Sequence, residues 1–108
     1  MRKLVFASML LLPFAAFQTA DAVEKIREVT SAGLTCSGAP VTLGPRFHKY
    51  ATRACKGRAV CTVKATNVTG AKKLKSYGCT DFFVVANCGS QNKEMRAKDV
   101  REKLRVTC

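Results

Sequence analysis

The order of apolar and polar positions divides the chain from residue 24 onward into short segments. "EKIREVTSA" sets Val29 and Ser31 on the face opposite Glu28 and Thr30 and carries β-branched residues, which predicts an early strand. "TCSGAPVTLGP" is punctuated by Gly38, Pro40, Gly44 and Pro45 and reads as a loop. In "PRFHKYATRACKG", Pro45 suits a helix start, Phe47, Tyr50, Ala51 and Ala54 recur at helical spacing, and Gly57 stands just past the end. That pattern predicts a short amphipathic helix.

In the second half, Cys61 and Val63 alternate with Thr62 and Lys64, as in a half-buried strand. "NVTG" reads as a turn, and "AKKLKS" as a basic, exposed loop with Leu74 as its single apolar anchor. "DFFVVANC" is the most apolar run of this part of the chain and rich in β-formers, so it is expected to be a central strand, with the helix on one face and loops on the other. "KLRVTC" puts Leu104, Val106 and Cys108 on one face and Arg105 and Thr107 on the other, as a closing strand does. Between these two strands, "GSQNKEMRAKDVRE" fits two readings. Glu94 with Lys98 and Asp99 with Lys103 stand four apart, as on a solvated helix, but Met95 is nearly alone on any apolar face, as in a polar hairpin or loop. The expected fold is a small α+β domain: an antiparallel β-sheet or sandwich with one short helix.

The N-terminal segment changes the picture by fixing a compartment. "MRKLVFASMLLLPFAAFQTADA" begins with Arg2 and Lys3, continues with an apolar run from Leu4 to Phe17, and ends on Ala20 and Ala22 around Asp21. This is the pattern of a signal peptide over residues 1–22, cleaved after Ala22. The run is too short, and too interrupted by Pro13, for a membrane-spanning helix. Cleavage leaves residues 23–108 as one domain, and a secreted protein, extracellular or periplasmic, is expected.

All six cysteines, Cys36, Cys55, Cys61, Cys79, Cys88 and Cys108, fall in that domain. An even count in a short exported chain implies a disulfide framework, although six cysteines can pair in about fifteen ways. With no C-x-x-C pair and His48 as the single histidine, no metal site and no redox pair is expected. The domain carries 17 basic and 6 acidic residues, a net charge of +11. A field of that sign attracts anionic partners such as acidic glycans, nucleic acid or acidic membranes; solubility alone is the blander use of the same charge. No acid–base pair, nucleophile, glycine-rich phosphate loop or cofactor motif is present, so no catalytic residue and no cofactor is expected, and His48 is read as structural.

The run "CKGRAVCTVKATN", followed by a glycine turn, a cysteine and "FFVVANC", resembles the rhamnose-binding or sea-urchin-egg-lectin type of domain, whose core reads C-x-G-x-x-x-C-x-V-x-A-x-N. It is similar to small exported bacterial relatives in which S-A-x-Y-G-x-x-C-G-A-P precedes that core; "SAGLTCSGAP" and "LRVTC" stand at the corresponding ends here. The resemblance implies the disulfides Cys55–Cys61, Cys36–Cys79 and Cys88–Cys108. It also implies a sugar site, but Gly33 and Leu34 replace the family's tyrosine element, "SYGC" replaces D-P-C, and the family's lysine position falls near Thr80 and Asp81. Asn67 is kept, so the scaffold is expected to be retained while the sugar-site motif is degraded or rebuilt.

Two functional readings follow. The first is a non-catalytic, lectin-like module that binds glycan at a cell or matrix surface, in a pocket between the loop after the first strand and the "NVTG" and "YGCTD" regions, with Asn67, Tyr77 and Asp81 as ligand-binding residues. The second is a cationic binder of anionic polymers or membranes, acting through Lys72, Lys73 and Lys75 together with Lys56, Arg58 and the basic run from Lys93 to Arg105. The expected partner is thus a glycan or an anionic surface polymer, with no specific nucleic acid.

Overall fold

The computed structural model describes residues 24–108, so the signal peptide expected over residues 1–22 lies outside the described residues. The elements in chain order are β1 (Glu28–Cys36), α1 (Leu43–Cys55), β2 (Val60–Lys64), a 3-10 turn (Ala65–Asn67), α2 (Ala71–Ser76), β3 (Cys79–Asn87), β4 (Asn92–Ala97) and β5 (Lys103–Thr107). β1, β3 and β4 form a three-stranded antiparallel sheet in that order, and β2 pairs antiparallel with β5 in a second, two-stranded sheet. This is a small, disulfide-stapled α+β fold.

The core follows from the apolar pattern. On α1, Leu43, Phe47, Ala51 and Cys55 recur every fourth residue and are all buried, so the helix lays one stripe against β1 and β2. Phe47 meets Phe82 of β3 edge to face, with ring centroids 5.5 Å apart. Alternation on β3 buries Phe82, Val84 and Ala86, and alternation on the second sheet buries Cys61, Val63, Leu104 and Val106. Each large side chain so buried stabilises the fold by about 1.5–3 kcal/mol.

Three disulfides supplement this small core. Cys36–Cys79 joins register partners on β1 and β3, Cys55–Cys61 joins the end of α1 to β2, and Cys88–Cys108 joins the end of β3 to the segment after β5. They are the pairs implied by the family resemblance. On the loop-entropy account, closures of 43, 6 and 20 residues contribute about 4, 2.5 and 3 kcal/mol. The "CKGRAVC" ring also holds both ends of the domain through its backbone. Gly57 N–H donates to the Ile26 carbonyl at 2.7 Å, Ile26 N–H donates to the Arg58 carbonyl at 2.8 Å, and Cys108 N–H donates to the Ala59 carbonyl at 3.3 Å.

Three segments differ from the sequence expectation, and the 89–103 segment takes one of the two readings left open for it. "AKKLKS" is not a loop but the short helix α2, because Leu74 is fully buried and winding one helical turn is what carries it inward. The 89–103 segment is a hairpin: β4 pairs with β3 from Phe82–Ala97 to Asn87–Asn92, and the four-apart helical ion pairs do not form. Glu94 instead pairs with Arg96 and Asp99 with Arg101. α1 begins at Leu43 rather than Pro45, since Leu43 is buried and Arg46 N–H already bonds the Thr42 carbonyl at 3.2 Å. Finally, β3 is central, but its second face, with Phe83 and Val85, is only half-buried, and among the described residues no helix covers it.

Candidate functional site

Two basic clefts and one open sheet face hold Asn67, Asp81, Lys72 and Lys75 of the candidate residues. The larger cleft, about 690 Å³, lies between α2 and the turn joining β4 to β5 and is lined by Lys72, Lys75, Thr80, Asp99, Val100 and Arg101 among others. Burial of Leu74 fixes α2, which leaves Lys72, Lys73 and Lys75 exposed around it, with Lys73 outside the cleft lining. The opposing turn is anchored by Val100, which is buried and whose N–H donates to the Thr80 carbonyl at 3.1 Å.

Arg101 is preset in this cleft. Its Nε and Nη2 donate to the two carboxylate oxygens of Asp99 at 3.1 and 2.9 Å, and its backbone N–H donates to Oδ1 at 2.8 Å. The side-chain and then the backbone hydrogen bonds from Arg101 hold the Asp99 carboxyl down at about 2, and the same pairing raises the Arg101 pKa. Asp99 therefore stays ionised at neutral pH and offsets one charge of a site whose other ionic groups, Lys72 and Lys75, are cationic.

A smaller cleft, about 200 Å³, runs along the exposed side of α1 and is lined by Arg46, Lys49, Tyr50, Arg53, Asn67 and Val68. The 3-10 turn brings Asn67 here, where its Nδ2 donates to the Tyr50 hydroxyl at 3.0 Å. Lys64 N–H donates to the same hydroxyl at 2.9 Å, and Arg46 Nη2 donates to the Val68 carbonyl at 2.9 Å.

The open face of the three-stranded sheet carries Asp81. Thr80 donates to its Oδ1 at 2.7 Å, while Thr35 and Arg96 donate to its Oδ2 at 3.2 and 2.7 Å. The Thr80 hydrogen bond, with further contributions from Arg96 and Thr35, lowers the Asp81 pKa. Arg96 also lies over the Phe83 ring, 5.2 Å from its centroid.

The residues expected to share one sugar pocket thus stand in separate surroundings. Asn67 lines the α1 cleft, Asp81 is tied into the open sheet face, and Tyr77, at the end of α2, is half-buried against the core. Lys72 and Lys75 are brought together, opposite Arg101. Lys56 and Arg58 are exposed on the disulfide ring. His48 is half-buried, with Nε2 at 2.7 Å from the Val29 carbonyl, an acceptor to which the ring must donate, so it ties α1 to β1. Sequence reasoning passed over Arg46, Lys49 and Arg53, although their spacing of three and four residues on the predicted helix was a readable sign of a cationic face.

Among the described residues, no group of three His, Cys, Asp or Glu side chains is placed to hold a metal, and no helix is long and apolar enough to cross a membrane. No family model, curated protein or solved structure matches the chain.

Proposed function

We propose that the protein is a secreted, non-catalytic module that binds acidic glycans or comparable anionic polymers at a cell or matrix surface. The observation that carries this reading is the cleft in which Lys72 and Lys75 on α2 face Arg101 on the β4–β5 turn, in a domain of net charge +11. Exposed cations on two elements around a shared opening give an extended anion many weak contacts rather than one deep pocket. The lectin-type resemblance supports a glycan as the carrier of that charge. A neutral-sugar site at Asp81 is disfavoured, because its carboxylate oxygens already accept from Thr35, Thr80 and Arg96.

The test is competitive elution of the oxidised protein from an immobilised sulfated polysaccharide. Release by sodium chloride below physiological strength, with no release by rhamnose or galactose, is expected for an interaction screened over a Debye length of roughly 10 Å. Release by either monosaccharide at low salt would overturn this reading in favour of a neutral-sugar lectin.

A further inference from the structure

The α1 cleft has a feature that the α2 cleft lacks. Arg46, Tyr50 and Arg53 follow one another at spacings of four and three residues, so their side chains line one face of the helix, with Lys49 beside them. From Arg46 to Arg53 the axis advances about 10 Å. Among the described residues, no carboxylate pairs with any of these three cations.

The decisive group is the Tyr50 hydroxyl. A phenolic hydroxyl can both accept and donate. The oxygen accepts from Lys64 N–H at 2.9 Å and from Asn67 Nδ2 at 3.0 Å, and among the described residues no protein acceptor takes its proton. Asn67 in turn keeps its amide oxygen as the one side-chain acceptor of the lining. The cleft therefore offers a hydroxyl donor and three cations to one ligand group, and a single acceptor to its neighbour.

We infer that this cleft is a subsite for a sulfate or phosphate monoester carried on a sugar. The ester oxygens accept from Tyr50 O–H and from the Arg46, Lys49 and Arg53 side chains, and the Asn67 amide oxygen accepts from an adjacent sugar hydroxyl. A tetrahedral anion matches a cluster of donors, because each of its outer oxygens accepts more than one hydrogen bond. A volume near 200 Å³ suits one such unit rather than a longer segment. The sugar part of this inference rests on the function proposed above; the anion part does not.

The test is a nuclear magnetic resonance titration of the oxidised protein at fixed ionic strength with glucose 6-sulfate, glucose 6-phosphate, glucose and sodium sulfate. Saturable shifts of the Tyr50, Arg53, Lys64 and Asn67 amides with the two esters, weaker ones with sodium sulfate and none with glucose are expected. Y50F, which removes a hydrogen bond to a charged group, should weaken ester binding by about tenfold. R53Q, whose side chain holds no described partner, should weaken it without changing the melting temperature. K72Q/K75Q should leave these shifts in place while weakening binding to the sulfated polysaccharide, which separates the two sites. Equal binding of sodium sulfate and the esters would overturn the sugar assignment. Ester binding unchanged in both Y50F and R53Q would overturn the subsite itself.

Discussion

Phe83 lies against Gly33 across the β1–β3 pairing, so closely that a Cβ on Gly33 would stand 3.0 Å from the ring edge. The glycine leaves room for the ring to lie on the open face of the sheet, and Arg96 closes over its other side at 5.2 Å. Phe82, the next residue along β3, points the opposite way, is fully buried and packs on Phe47. The two neighbours should therefore respond differently to truncation. Phe82→Ala is expected to cost about 3–5 kcal/mol, a large part of the stability of so small a domain, and Phe83→Ala about 1–2 kcal/mol. Denaturant unfolding measures both; equal costs would mean that the outer face is covered as well.

The contrast between these residues also shows what could be read from the sequence. Segments with a dense apolar rhythm, "FHKYATRAC", "VCTVK" and "DFFVVAN", declare their element type, because burying that rhythm is what stabilises them. β4 was not legible: Lys93, Met95 and Ala97 face inward, but only two of the three are apolar, so the strand exists mainly because β3 offers it a partner. α2 was hidden for a similar reason, since one buried leucine among three lysines has no period to detect. The site was legible in its charge but not in its assembly. Nothing local in the sequence says that Arg101 faces Lys72, or that Asn67 turns to Tyr50 rather than toward Asp81.

Gly78 and Gly57 both have positive φ, 70° and 84°, yet only Gly78 is crowded: a Cβ there would collide with the Ser37 side chain, whereas at Gly57 it would meet nothing. Gly57→Ala should cost the left-handed backbone penalty alone, about 1–2 kcal/mol. Gly78→Ala should cost more, because Ser37 must move and its N–H bonds the Gly78 carbonyl at 3.3 Å. Thermal melts of the two variants check the order; a smaller loss at Gly78 would contradict the close contact between Gly78 and Ser37.

The Asp99–Arg101 fork predicts a pH window. The Asp99 carboxyl sits at about 2 in the folded protein, against an ordinary value of 3.8. A depressed carboxyl stabilises the folded state above its unfolded pKa and ceases to do so as the pH falls through its folded one. Wild-type and D99N melting temperatures should therefore differ at pH 6 and converge as the pH drops from about 4 to 2. A constant gap across that window would show that Asp99 acts through something other than its charge.

The basic face of α2 should contribute to binding and hardly to folding. Lys72, Lys73 and Lys75 are exposed, while Leu74 between them is fully buried, so one turn of helix separates the two roles residue by residue. Changing the three lysines together to Gln removes three cations, each worth about 0.2–1 kcal/mol against an exposed anion, which lowers affinity for a sulfated polymer roughly tenfold at low salt. The melting temperature should stay within about 2 °C of wild type or rise slightly, because Lys72 and Lys75 are like charges three apart on one helix face. Leu74→Ala is the opposite case: it should cost about 2–5 kcal/mol of stability through the cavity it leaves. Affinity chromatography and thermal melts on the two variants settle the division. Unchanged polymer affinity in the triple Gln variant, or a loss of stability in it comparable to that of Leu74→Ala, would remove α2 from the binding surface.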